Sequence, residues 1–114
     1  MDTETRELLD GFVVESRENL ELAQRNLLAL ETGADSETLN GLFRAIHTVK
    51  GASGFFQLTV LGGLAHVGES LMSRVRDGDI PVTAPLVDLL LKTTDTLLQM
   101  LDREDLGQGV TSRN

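Results

Sequence analysis

The sequence predicts an all-α protein with an antiparallel up-down four-helix bundle, and three observations support this fold class. Apolar residues recur at three- and four-residue intervals in four segments, and no stretch alternates with period two. Short runs of turn-forming and capping residues separate the segments, and helices joined by short loops pack antiparallel. The chain has 114 residues, of which 40% are hydrophobic, which suits one domain with one core.

The first helix is predicted over residues 3–30, and Gly33 supplies a stop signal. The second is predicted over residues 36–53, with Asp35 or Ser36 as the N-cap. The apolar stripe of the first helix steps by four and three residues; it comprises Leu9, Val13, Ser16, Leu20, Ala23, Leu27 and Leu30. The stripe of the second comprises Leu39, Leu42, Phe43, Ile46 and Val49.

Two phenylalanines, Phe55 and Phe56, are assigned to the tight connection that follows, where they pack across the end of the bundle. The third helix is predicted over residues 59–76 and the fourth over residues 84–102, with Thr83 as N-cap. Buried positions expected on these two helices are Leu61, Leu64, Ala65, Gly68, Leu71, Met72, Val75, Leu86, Leu90, Leu97 and Leu101. Together the helices define one domain over residues 1–103.

Charge and composition narrow the classes of partner. The net charge of −8 argues against nucleic acid and anionic membranes. Residues 1–31 carry eight acidic and three basic side chains, whereas residues 39–54 carry Arg44 and Lys50 and no acid. The second helix therefore presents a positive patch to an incoming anion.

Further features concern the compartment and the surrounding protein. The sequence has no cysteine, no apolar run near the roughly 20 residues of a membrane span, and no signal-like N-terminus. These features predict a cytoplasmic domain without membrane insertion. Residues 104–114 are polar and contain glycine, and are predicted to be a flexible tail or linker. An excised N-terminal domain is favoured over a free-standing protein, and a monomer is expected.

One histidine stands apart from the apolar stripe of the second helix. At about 100° per residue, His47 lies roughly 100° from the centre of the stripe and is expected to face solvent. Lys50 follows one turn later, and Gly51 stands where an i+4 side chain would otherwise cover the imidazole. Gly54 leaves the next turn bare as well. The pattern predicts that a group outside the domain reaches His47.

A second pair of polar residues lies on the third helix, where His66 and Glu69 are three positions apart. Gly62 and Gly63 precede them and leave this part of the helix with few side chains that could cover His66. Because sequential antiparallel helices meet along their flanks, these residues are expected to form one surface cluster with His47 and Lys50. A carboxylate that accepts from one ring nitrogen fixes the tautomer and turns the other nitrogen outward, and a lysine neutralises phosphoryl oxygens. No phosphate-binding glycine loop is present, so a phosphoryl donor has to come from another domain.

The stretch HTVKGASGFF, followed by LGGLAHVGESLMSRVRDGDI, resembles the histidine phosphotransfer (HPt) domain of chemotaxis-type, CheA-like histidine kinases. The resemblance covers residues 3–102. It implies that His47 is the phosphoacceptor, Lys50 and Gly51 its motif neighbours, and His66 and Glu69 the supporting pair. The sequence departs from the family pattern at Gln57, where a second glycine is expected after the phenylalanines.

The resemblance also implies the partners and the chemistry. A histidine-kinase ATP-binding domain phosphorylates the histidine at Nε2, and an aspartate on a response-regulator receiver removes the phosphoryl group. ATP is then bound by the donor and Mg²⁺ by the receiver, while the HPt domain itself is a two-component phosphocarrier without a bound cofactor or catalysis of its own. Access or docking contacts are predicted at Gly51, Gly54, Gly62 and Arg44, and also at Arg74 and Arg76.

Two other functions fit parts of the pattern. His47, His66 and Glu69 are a ligand set for zinc, although the chain has only two histidines and Lys50 would place a positive charge beside the cation. The bundle is alternatively an interaction module that is never phosphorylated.

Overall fold

The chain forms four helices within residues 2–28 and 35–102, the parts that this computed structural model describes. The helices are Thr3–Leu28 (α1), Ser36–Phe55 (α2), Thr59–Arg76 (α3) and Ala84–Leu101 (α4). α2 packs against α1 and α3, and α4 packs against the other sides of α1 and α3, so the helices close a ring around one core. The four-helix bundle predicted from the sequence is confirmed. Residues 29–34 and the predicted tail lie outside the described residues.

The helix starts follow the capping chemistry of the sequence. Of the two N-cap candidates for α2, Asp35 is the one observed, and its side chain accepts a hydrogen bond of 2.8 Å from the backbone N–H of Thr38. Thr83 caps α4 by accepting from the backbone N–H of Leu86. Each bond satisfies one of the backbone donors that the first turn of a helix leaves free.

The end of α2 differs from the prediction, because the helix continues through Gly54 to Phe55. Gln57 ends it with a positive φ of 59°, a left-handed conformation. The N–H groups of Gln57 and Leu58 then donate to the carbonyls of Gly54 and Ser53 at 3.3 and 2.8 Å, the pattern of a Schellman motif. The same motif closes α3, where Gly78 takes the left-handed position with φ 84°. The glycine expected at position 57 thus corresponds to a left-handed residue that this chain builds with glutamine.

The core is built mainly from leucine and follows the predicted stripes. Leu20, Leu42 and Leu90 are fully covered, and Phe56 is buried and stacked on Phe12 with ring centroids 5.7 Å apart. Phe55 does not pack into the bundle end as predicted, since its side chain is exposed. Four predicted core residues are only partly buried, namely Val13, Phe43, Leu64 and Leu71. Within the described residues, no helix combines the length and apolar character needed to cross a membrane.

Candidate functional site

The site lies along the seam between α2 and α3, where small residues let the two helices approach closely. A Cβ placed on Gly62 would lie 3.1 Å from the Cβ of Ser53, which is buried on α2. A Cβ on Gly68 would touch Ile46 of α2 at 3.4 Å. Because these positions carry no side chain, the backbone of α3 lies close to α2, and polar side chains of the two helices meet across the seam.

Glu69, which follows Gly68, is the centre of a three-residue polar cluster. Its Oε2 is hydrogen-bonded to Nδ1 of His47, and its Oε1 accepts from Nζ of Lys50. His47 and Lys50 are three residues apart on α2 and so share one helix face. One carboxylate therefore holds the two side chains that the sequence analysis singled out on the neighbouring helix.

Exposure differs sharply among the three side chains. The Glu69 side chain is 12% exposed, that of Lys50 is 34% exposed and that of His47 is 61% exposed. The hydrogen bond from Lys50, and after it the bond with His47, lowers the pKa of Glu69 below the usual glutamate value, against the opposing effect of burial. Glu69 is thus a carboxylate at neutral pH, and it accepts from both partners.

The position of the carboxylate determines the chemistry of the imidazole. A carboxylate has no proton to donate, so Nδ1 of His47 carries the hydrogen of this bond. In the neutral ring the other nitrogen, Nε2, then keeps its lone pair, on a side chain that is mostly in solvent. The arrangement presents a nucleophilic nitrogen at the surface of the bundle.

His66 does not join this cluster, contrary to the expectation of a four-residue group. It is exposed, and within residues 35–102 it forms no hydrogen bond with His47, Lys50 or Glu69. Three residues of helix correspond to about 300°, so His66 lies roughly 60° around α3 from Glu69. Since Glu69 is mostly covered at the seam and His66 is exposed, this rotation is enough to place His66 on the solvent side of Glu69.

The glycines near the site have two different surroundings. A Cβ at Gly51, Gly54 or Gly63 would meet nothing within 4 Å, so these positions border open space beside the helix. Gly62, assigned to access by the sequence analysis, instead lies against Ser53 and has a packing reason to be glycine. The surroundings of Gly51 and Gly54 agree with an uncovered imidazole, and their role in access remains a prediction.

The arginines predicted as docking contacts lie at different places on the surface. Arg44 and Arg74 are exposed, and Arg44 borders a groove between α1 and α2. Arg76, also exposed, places its guanidinium carbon 4.2 Å from the ring centroid of Phe43. The Phe43 ring in turn lies parallel to the imidazole of His47.

The sequence pattern places Phe43 in the apolar stripe and does not by itself indicate its contacts with His47 and Arg76. The four-residue spacing of Phe43 and His47 was the available signal, since such pairs are neighbours on a helix. The contact with Arg76 depends on how α3 is placed and has no local signature in the sequence.

The ligands needed for the alternative metal site do not come together. No group of three or more histidine, cysteine, aspartate or glutamate side chains within the described ranges could hold a metal ion. The proposed set of His47, His66 and Glu69 fails at His66, which is exposed and is not hydrogen-bonded to either of the other two residues. Lys50 also occupies the Glu69 oxygen that does not contact His47.

Comparison with known proteins identifies relatives of this site and fold. The family model described as "Hpt domain" matches residues 7–105. The chemotaxis protein CheA of Borreliella burgdorferi is 34% identical over 102 residues, which cover 89% of this chain and 12% of that protein. The chain therefore spans about an eighth of the length of this curated relative.

Two solved structures are similar in both fold and sequence. One is the phosphorylated P1 domain of CheA3 from R. sphaeroides, determined in complex with CheY6. It has a TM-score of 0.76 and 33% identity, covering 91% of this chain and 88% of that one. The other is the CheA phosphotransferase domain from Thermotoga maritima, with a TM-score of 0.75 and 34% identity over 84% of this chain and 92% of that one.

Proposed function

This chain belongs to the Hpt domain family, and we propose that it is a phosphocarrier whose phosphoacceptor is His47. The observation that carries the proposal is the tie between His47 Nδ1 and Glu69, which leaves Nε2 free on an exposed side chain. The relatives that share this fold support the same role, since one of them is a phosphorylated P1 domain.

In the first transfer, Nε2 attacks the γ-phosphorus of ATP held by a histidine-kinase ATP-binding domain. The new N–P bond forms as the bond from phosphorus to the ADP oxygen breaks, and ADP leaves with that oxygen. The ring gains positive charge during the attack, and Nδ1–H keeps donating to the Glu69 carboxylate. A fixed negative charge placed where positive charge develops stabilises the transition state.

In the second transfer, a carboxylate oxygen of an aspartate on a response-regulator receiver attacks the same phosphorus. The N–P bond breaks, its electron pair returns to Nε2, and His47 is regenerated as a neutral imidazole. Mg²⁺ bound by the receiver would supply charge neutralisation to the phosphoryl oxygens. The carrier needs no bound cofactor for either step, and ATP belongs to the donor.

Lys50 has a further role that follows from its donors. An ammonium has three N–H groups, and the bond to Glu69 uses one of them. The remaining donors, on a side chain that is one-third exposed, are available to phosphoryl oxygens carried by His47. Gly51 and Gly54 leave room for a partner to approach, and Arg44 is a contact for an acidic partner surface.

The proposal extends to the protein around the domain. CheA relatives suggest that the chain is the phosphotransfer module of a chemotaxis-type two-component kinase, with the receiver corresponding to the CheY partner in the related complex. Such a module acts in the cytoplasm, where ATP and receivers are available, and by itself it is a carrier rather than an enzyme.

Labelling by two donors tests the proposal. The chain is incubated with radiolabelled ATP and a CheA-class kinase ATP-binding domain, and separately with phosphoramidate, a small phosphoryl donor. We expect acid-labile, alkali-stable label in wild type and in His66→Gln, and none in His47→Gln. His66→Gln is the matched control because the chain has only these two histidines.

A receiver domain with Mg²⁺ is then added to the labelled chain, and the label is expected to move to the receiver. Label located on His66, or a folded wild-type chain that neither donor labels, would refute the phosphoacceptor assignment. The interaction-module alternative predicts the second of these results.

A further inference from the structure

The ring of Phe43 lies beside the imidazole of His47, one turn earlier on α2, and the two ring planes are nearly parallel. Their centroids are 6.0 Å apart and the planes differ by 9°. The same Phe43 ring carries the guanidinium of Arg76 at 4.2 Å. Because Arg76 is the last residue of α3, this contact ties the ring to the helix that also provides Glu69.

The hydrogen bond to Glu69 alone leaves the direction of the imidazole incompletely fixed. It restrains the ring at one atom, Nδ1, and the χ angles of the side chain can still vary within the range of geometries that a hydrogen bond tolerates. Core packing does not supply the missing constraint, because the His47 side chain is mostly in solvent. Phe43, in contrast, is partly buried and packed against the core, so its ring is anchored.

We propose that Phe43 is a positioning residue for phosphoryl transfer and that Arg76 holds its ring in place. Glu69 determines which nitrogen of His47 is free, and Phe43 limits the plane of the ring and hence the direction in which Nε2 points. A parallel aromatic ring opposes rotation of its neighbour, and a cation over a ring face is attracted to it. This inference rests on the phosphocarrier role proposed for His47.

Substitutions at Phe43 test the idea with two donors. Phe43→Leu removes the planar ring but keeps an apolar, helix-favouring side chain, and Phe43→Tyr keeps the ring. The rate of labelling by the kinase ATP-binding domain is measured as a function of its concentration, to separate the maximal rate from half-saturation. Phosphoramidate serves as a donor that can approach the imidazole from any direction.

We expect Phe43→Leu to lower the maximal rate with the kinase domain by roughly 3- to 10-fold, because small misalignments of reacting groups cost about this much or more. Half-saturation and the phosphoramidate rate should not change, and Phe43→Tyr should restore the maximal rate. NMR of the imidazole nitrogens should still show the hydrogen on Nδ1 in Phe43→Leu.

Three results would overturn the positioning role. They are an unchanged maximal rate in Phe43→Leu, an equal loss with both donors, and a change confined to half-saturation, which would make Phe43 a docking contact. Circular dichroism of each variant establishes that it is folded at the assay temperature. Failure of the proposed phosphocarrier function can be distinguished from failure of the positioning role, because in the first case wild type takes no label on His47.

The part played by Arg76 is tested by a double-mutant cycle. Arg76→Gln should lower the maximal rate by a smaller factor than Phe43→Leu, and should have no further effect when Phe43 is already leucine. If the effect of Arg76→Gln persists in the Phe43→Leu background, Arg76 acts directly on the partner or the phosphoryl group, and its support of the Phe43 ring is refuted.

Discussion

Gly62 and Gly63 are adjacent on α3, and alanine substitutions there should have opposite effects on stability. A Cβ on Gly63 would meet nothing within 4 Å, whereas one on Gly62 would lie 3.1 Å from the Cβ of Ser53. Alanine is favoured over glycine inside a helix by about 1 kcal/mol. Gly63→Ala should therefore raise the free energy of unfolding by about 0.5–1 kcal/mol.

For Gly62→Ala the same helix gain is opposed by a clash that has no easy relief. The contacted atom is the Cβ of Ser53, which is fixed to the α2 backbone and cannot rotate away, and Ser53 is 1% exposed. The helices must move apart by a few tenths of an ångström, and overpacking of this kind costs about 1–3 kcal/mol. The net change is a loss of about 0–2 kcal/mol, so the two variants should differ by about 1–3 kcal/mol.

Urea unfolding followed by far-ultraviolet circular dichroism measures this difference, since the chain has no tryptophan or tyrosine for fluorescence. The midpoints should separate while the slopes stay equal. In thermal unfolding, a difference of 1 kcal/mol corresponds to about 4–8 °C for a domain of this size. If Gly62→Ala is stabilised as much as Gly63→Ala, the predicted clash between α2 and α3 at position 62 is refuted.

The same pair of variants connects helix spacing with the site. Gly62 and Glu69 are seven residues apart and lie on nearly the same face of α3, so separating the helices at Gly62 should move Glu69 away from His47. We expect Gly62→Ala to slow phosphoryl transfer from the kinase domain and Gly63→Ala to leave it unchanged. Wild-type rates in a folded Gly62→Ala variant would contradict this connection.

Three further predictions concern single side chains. Gln57→Gly should raise the free energy of unfolding by about 0.5–1 kcal/mol, because a left-handed non-glycine residue costs about 1–2 kcal/mol and the greater freedom of unfolded glycine offsets part of this; an unchanged thermal midpoint would contradict it. Ser16→Ala should leave the free energy of unfolding in urea unchanged or raise it by up to about 1 kcal/mol, since Ser16 Oγ is buried without a partner among the described residues. A clear decrease in that free energy would contradict this prediction and indicate that Ser16 Oγ forms a hydrogen bond. Because the pKa of Glu69 is lowered, its charged form stabilises the folded chain above about pH 4.5, and this stabilisation is lost as pH falls through the folded-state pKa. The difference in unfolding free energy between wild type and Glu69→Gln should therefore shrink below about pH 4.5. A difference that does not depend on pH would refute this linkage.

The fold could be predicted from the sequence because its determinants are local or periodic. Buried residues such as Leu20 of α1 and Leu42 of α2 belong to apolar stripes with helical spacing, and the side chains of Asp35 and Thr83 cap α2 and α4. The error at the end of α2 has a physical reason. The prediction ends the helix at residue 53 and places Phe55 and Phe56 in the connection, but the left-handed residue that ends the helix is Gln57, and no local propensity favours glutamine in that role.

The candidate site was predictable only where helix geometry determines it. His47 and Lys50 share a face because they are three residues apart, and Glu69 was correctly placed opposite them. His66 has the same three-residue spacing from Glu69, but this spacing does not specify which of the two residues faces the neighbouring helix. A rotation of about 60° is enough to separate an inward-facing residue from an exposed one at a helix–helix seam. The contact between Phe43 and Arg76 depends on the relative placement of α2 and α3, which no local pattern specifies.

Side-chain exposure rises from Glu69 through Lys50 to His47, so a residue covered at the helix–helix seam supports one that reaches into solvent. In the proposed function His47 meets two different partners in turn, and this requires its reacting nitrogen to lie in solvent, where a side chain has least support from packing. Glu69 is covered at the seam, with 12% of its side chain exposed, and its bond with Lys50 holds the carboxylate in its charged form. Through its bond to Nδ1, the carboxylate restrains the imidazole relative to the packed helices. The close packing of α2 against α3 is on this view part of the chemistry, because any shift between the helices changes the direction in which Nε2 points.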